Sequence, residues 1–93
     1  MRIPDKFLRN PGDPWPADGD YPCPCCRFFT MHEEPPGTFE ICRICAWEDD
    51  FVQFDDPSYR GGANGYSLNE AREEFERELH AHPEAYSGFR RAD

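Results

Sequence analysis

Cys23-Pro24-Cys25-Cys26 and Cys42-Arg43-Ile44-Cys45 decide how this chain folds. Each run holds a Cys-x-x-Cys step, and residues 27–41 separate them. The pattern C-x2-C-x15-C-x2-C lies in the spacing range of a structural zinc site. Two such turns each present two thiolates to one ion. Four thiolates close a tetrahedron around Zn²⁺ and leave no open position for water or substrate. Cys23, Cys26, Cys42 and Cys45 are therefore the expected ligands. Iron suits the same four thiolates, so the pattern sets the donor set and not the metal. Cys25 is the spare cysteine if the two pairs share one spacing, and the register that uses Cys25 in place of Cys26 stays open. A spare thiol beside a metal reads either as a small packed side chain or as a redox-active group.

The rest of the composition says why a staple is needed. The chain has 93 residues, enough for one domain. Hydrophobic residues make up 38%, with ten prolines and seven glycines. Small domains with so thin a core usually need a cross-link or a metal. The odd cysteine count, five, argues against a full disulfide framework. Met1-Arg2-Ile3-Pro4-Asp5-Lys6 is polar and broken by proline, unlike a secretory leader. No apolar run approaches the length that spans a membrane. The expected setting is the cytoplasm, where thiols stay reduced and paired Cys-x-x-Cys steps bind metal.

Net charge is -9, and most of it lies in residues 47–93. Lys6 is the only lysine, and the arginines are dispersed among acids. Nucleic-acid binding draws on clustered cations, so this composition disfavours it.

Residues 1–20, with Pro4, Pro11, Pro14 and Pro16, read as an extended arm that is either loose or folded back through Trp15. Residues 21–82 read as the zinc-stabilised domain and 83–93 as a frayed C-terminal tail. Within the domain, 28–31 and 38–41 are expected to pair as a hairpin across a Glu33–Gly37 turn, carrying both cysteine pairs to one end. Arg27 and Ala46 follow the second cysteine of each pair, a position that often needs a left-handed backbone. Phe51-Val52-Gln53-Phe54 reads as a third short strand, with Trp47, Phe51 and Phe54 in the core. Residues 55–66 read as a long loop. Ser67-Leu68-Asn69-Glu70 is a capping box. Leu68, Ala71, Phe75 and Leu79 then recur on one helical face, and the helix should stop before Pro83. The expected fold class is α+β: a small zinc-ribbon-like β-hairpin, a short strand and one C-terminal helix.

Several blocks occur together in order: Tyr21-Pro22-Cys23-Pro24-Cys25-Cys26, Glu34-Pro35-Pro36-Gly37, Ile41-Cys42 through Cys45, Trp47-Glu48-Asp49-Asp50 with Gln53, Gly61-Gly62-Ala63-Asn64, and Ser67-Leu68 with Glu70-Ala71-Arg72. This run resembles the bacterial cysteine-rich CPCC family over roughly residues 21–75. The resemblance implies a metal-binding module and brings no reaction with it. Arg27 and Arg43 stand where such sequences often carry glycine and proline, and neither change removes a ligand.

No Ser-His-Asp order, phosphate-cradling glycine motif or HExxH is present. His32, His80 and His82 belong to no motif. Glu48, Asp49, Asp50, Asp55 and Asp56 form the acidic cluster. It reads as a solvated rim, or as an interaction surface for a basic protein around Phe51 and Phe54. The leading expectation is thus a protein-interaction module, one version being the neutraliser of a basic partner or toxin. An enzyme or redox protein using Cys25 or the acidic cluster is the alternative.

Overall fold

In the computed structural model, which describes residues 19–92, each cysteine pair sits at the tip of its own short hairpin. β1 (Tyr21–Pro22) and β2 (Phe29–Met31) pair antiparallel, with a register shift between Tyr21 and Pro22. The first cysteine turn is the connection between them. The Cys23 N–H donates to the Phe28 carbonyl at 2.9 Å, and the Arg27 N–H donates to the Cys23 carbonyl at 2.9 Å. The second turn repeats this pattern: Cys42 N–H to Trp47 carbonyl at 2.9 Å, and Ala46 N–H to Cys42 carbonyl at 3.0 Å. Arg27 and Ala46 close the two turns at φ 68° and 67°. Both positions adopt the left-handed backbone expected of them, without glycine to make it free.

The strand pairing differs from the sequence expectation. Residues 29–31 pair with β1, not with 38–41. The 38–41 segment instead lies against 47–49, through Phe39 N–H to Asp49 carbonyl at 2.9 Å, Asp49 N–H to Glu40 carbonyl at 3.0 Å and a bridge between Ile41 and Glu48. Close-range pairing around each turn closes a shorter loop than pairing across the fifteen-residue connection, and costs less entropy.

Residues 51–54 are not a strand. They form α1 (Phe51–Asp55), capped by Asp50, whose Oδ1 accepts from the backbone of Val52 at 2.8 Å and Gln53 at 3.1 Å. Only Gln53 of this helix is buried, and Phe51 and Phe54 are exposed, against the expectation of core residues. Gln53 instead organises the loop that follows. Its Nε2 donates to the carbonyls of Tyr59 (2.9 Å) and Tyr66 (2.8 Å), and Gly62 packs so close to it that any Cβ would collide.

α2 (Leu68–Ala81) begins and ends as its sequence indicates. Ser67 and Glu70 complete the capping box, at 3.1 and 2.9 Å. Leu68, Ala71 and Phe75 are buried, and Leu79 packs at the core edge. Residues 83–92 are not a frayed tail. A 3-10 helix (Pro83–Tyr86) turns the chain back. Tyr86 then stacks on Phe28 with centroids 5.8 Å apart, and Phe75 meets Tyr86 edge-on at 5.3 Å. Phe29 N–H to Arg90 carbonyl (3.0 Å) and Ala92 N–H to Arg27 carbonyl (2.8 Å) add the segment to the edge of the first hairpin. An aromatic cluster of this kind contributes beyond its buried area, so these residues belong to the domain. The core runs from Phe28, Met31 and Trp47 to the inner face of α2. The N-terminal arm with Trp15 lies outside the described residues.

Candidate metal centre

The two hairpin tips bring Cys23, Cys26, Cys42 and Cys45 together. Their four Sγ atoms lie within 4.8 Å of one another, and all four residues are fully buried. Cys23 Sγ stands 3.6 Å from Cys45 Sγ, and Cys26 Sγ 3.6 Å from Cys42 Sγ. All five cysteines are free thiols. A tetrahedral ion bound to sulfur at about 2.3 Å sets its ligands about 3.8 Å apart. The donor set and its spacing therefore fit a four-coordinate metal.

Backbone and side-chain donors converge on the sulfurs. The Cys25 N–H points at Cys23 Sγ (3.4 Å), while the Ile44 and Cys45 N–H groups point at Cys42 Sγ (3.3 and 3.4 Å). Pro24 removes no useful donor, because the donor comes from the residue after it. Thr30, buried in β2, adds its hydroxyl to Cys42 Sγ at 3.0 Å. Burial pushes the Cys23, Cys26 and Cys45 thiols well above their ordinary range. Burial acts on Cys42 too, but hydrogen bonds from the other three thiols and from Thr30 outweigh it and hold Cys42 well below. Thr30 carried no signal in the sequence: a β-branched residue in a β-prone run is expected anyway, and only the fold aims its hydroxyl.

Cys25 is packed beside the cluster but outside the four-sulfur group, with only 3% of its surface exposed. Reactive thiols are partly exposed, so the burial favours the packed side chain over the redox group.

The family model of the cysteine-rich CPCC proteins matches residues 21–92. The chain belongs to the cysteine-rich CPCC family. No curated protein matches it. The match takes in the C-terminal segment that closes the CPCC domain, beyond the point where its recognisable sequence blocks stop. Arg91 shows why that segment matters to the centre: its Nε donates to the Cys26 carbonyl at 2.9 Å, and its guanidinium also pairs with Glu76 of α2. The Arg72 Nε likewise donates to the Pro24 carbonyl at 3.0 Å. The first cysteine turn of the CPCC domain is therefore held from outside by two arginines.

The acidic cluster divides. Asp49 is fully buried, its Oδ2 accepting from the backbone and hydroxyl of Thr38 at 2.9 and 2.8 Å. Asp50 is buried too, and beyond capping α1 its Oδ2 accepts from the Ala63 N–H at 2.9 Å. That bond, with those from Gln53 and Val52, outweighs desolvation and lowers its carboxyl. These two carboxylates brace the backbone and are no part of a solvated rim. Glu48 is half-buried, and Asp55 and Asp56 are exposed. His32, His80 and His82 are exposed and stand outside the four-sulfur group.

Proposed function

We propose that the four cysteines hold one Zn²⁺ in a zinc-ribbon-like domain, and that this domain is a docking module for a basic partner protein. The observation that carries the docking half is the inverted burial of α1. Phe51, Val52 and Phe54 are 58%, 53% and 41% exposed, while the polar Gln53 between them is buried. Phe39 and Ile41 are exposed on the neighbouring segment, and Gly37 approaches so near that a Cβ there would lie 3.5 Å from the Phe51 Cβ. We read these exposed apolar side chains on a small acidic protein as one interaction surface. Asp55 and Asp56 flank it, giving an apolar centre with an acidic edge, the common anatomy of an interface. A chain of net charge -9 would steer a basic partner towards it.

For the metal half, the spacing and the four-thiolate set support zinc, with iron the competitor for the same ligands. The free thiols support a cytoplasmic setting. Among the described residues no helix is long and apolar enough to cross a membrane.

Two variants test the docking reading. Phe51→Ser with Val52→Ser keeps the fold and the metal and loses capture of basic partners from the host. Asp55→Asn with Asp56→Asn captures them more slowly, with a flatter salt dependence, because exposed charges are screened over about 8 Å at physiological ionic strength. Capture of the same partners at the wild-type rate by both variants would overturn the reading.

A further inference from the structure

A groove of about 360 Å³ opens beside the first cysteine turn, and nothing said so far uses it. Tyr21, Pro24, Pro35 and Phe54 give it apolar walls, and Arg27 and Arg72 line it as well. The protein has 19 acidic and 10 basic residues. Arg60, Arg77 and Arg91 each pair with a glutamate. Arg27 and Arg72, like Arg43 and Arg90, pair with no carboxylate among the described residues, and the first two share one groove. The Arg72 side chain is tied down, and Arg27 is placed by its backbone. The Arg27 backbone is fixed in the left-handed turn at φ 68°, and the Arg72 Nε is tied to the Pro24 carbonyl at 3.0 Å. Glu34 lines the groove without an ion pair to either arginine, and the buried Cys23 of the four-sulfur group lies at its base. Two guanidinium groups without a carboxylate partner thus line one groove with an apolar wall.

We propose that this groove binds a small organic oxyanion, a carboxylate or phosphate carried on a flat apolar body. The guanidinium fork matches either oxyanion in a bidentate way, and an apolar surround strengthens the pairing. Tyr21, Phe54 and the prolines take the body. The volume is at the lower end of the range for small-molecule sites, about 300–1,000 Å³. The groove shares Phe54 with the docking surface, but the Phe51 and Val52 variants that test docking leave its lining intact, and it does not depend on which metal the cysteines hold.

The test is NMR titration of the metal-loaded full chain with phenyl phosphate and with benzoate. Inorganic phosphate and benzyl alcohol serve as probes of the head and the body alone. The expected result is saturable shifts at the Arg27 and Arg72 Nε–H groups and at Phe54, with affinity at least about tenfold above either half-probe. Saturation by only one of the two full probes assigns the head group and supports the site. Arg27→Gln removes a side chain with no ion pair to lose, and weakens binding about tenfold. Arg72→Lys keeps the charge but not the fork and also weakens it. Unchanged α2 amide signals show that both variants are folded. Linear, unsaturable shifts with both full probes would overturn the proposal. So would inorganic phosphate binding as tightly as phenyl phosphate, or Arg27→Gln binding like wild type.

Discussion

Gln53 and Asn64 are locked together inside the domain: the Gln53 Oε1 accepts from both the backbone N–H (3.1 Å) and the side-chain Nδ2 (2.9 Å) of Asn64. Asn64 in turn exchanges two bonds of 2.9 Å with the Glu48 backbone, through its Oδ1 and Nδ2. One buried pair of amides therefore ties α1, the loop 56–66 and the segment after the second cysteine turn. Gln53→Leu takes away the amide that meets the Tyr59 and Tyr66 carbonyls and the Asn64 N–H, while Asn64 keeps its bonds to Glu48; each lost bond to a group that stays buried costs roughly 1–3 kcal/mol. The expected loss is on the order of 3 kcal/mol, read from the denaturant midpoint of the metal-loaded protein. An unchanged midpoint would show that the loop rearranges freely.

Metal should be a condition of folding. Structural zinc contributes roughly 10–16 kcal/mol in small zinc peptides, against a net stability of about 5–15 kcal/mol for a typical domain. The expected content is one ion per chain by elemental analysis. Chelation should collapse the NMR dispersion of both hairpins. A metal-free sample with native dispersion would refute the staple.

The two cysteines of the Cys25–Cys26 step should behave differently. Cys25→Ser keeps one tightly held ion, because this thiol lies outside the four-sulfur group. Cys26→Ser, like the same change at Cys23, Cys42 or Cys45, loses it. The opposite result at Cys25 and Cys26 would reverse the register of the first turn.

Thr30→Val is nearly isosteric and removes one donor from Cys42 Sγ. Loss of a hydrogen bond to a ligand atom costs about 10–100-fold in metal affinity. A tenfold loss in competition with a chromophoric chelator is expected, with circular dichroism unchanged. Equal affinity would mean that the backbone donors suffice.

The α2 cap supplies a pH test. The Arg60 guanidinium, at 2.5 and 2.9 Å, and the Ser67 N–H hold the Glu70 carboxyl down at about 2. Its folded value is below the unfolded value of about 4.3. The stability it contributes is therefore complete above about pH 4.3 and lost as the pH falls towards 2. The gap between wild type and Glu70→Gln should shrink over that window, and a gap that widens with acid reverses the sign. Ser67→Ala, which removes the other half of the box, should cost about 1 kcal/mol without changing metal content.

The sequence alone determined the four-thiolate pattern up to the choice between Cys25 and Cys26, which the fold makes in favour of Cys26, together with the left-handed closures at Arg27 and Ala46 and α2 with its cap. Each is written within a few residues. Cys-x-x-Cys spacing, the position after a second cysteine and the Ser67–Glu70 box are local signals whose physics is complete at short range. Strand partners were not legible, because β-prone residues 28–31 and 38–41 can pair with any suitable edge. The three-dimensional arrangement decided that each pairs around its own cysteine turn. The run Phe51-Val52-Gln53-Phe54 is too short for a period to separate helix from strand. Only the tertiary structure shows that the Asp50 cap prevails, because its carboxylate also finds Ala63, and that the buried residue is the polar Gln53, which satisfies backbone groups from Tyr59 to Tyr66. The burial of Asp49 and the docking of residues 83–92 belong to the same class. Their causes are the donors of Thr38 and the Phe28 ring, distant in sequence and near only after folding.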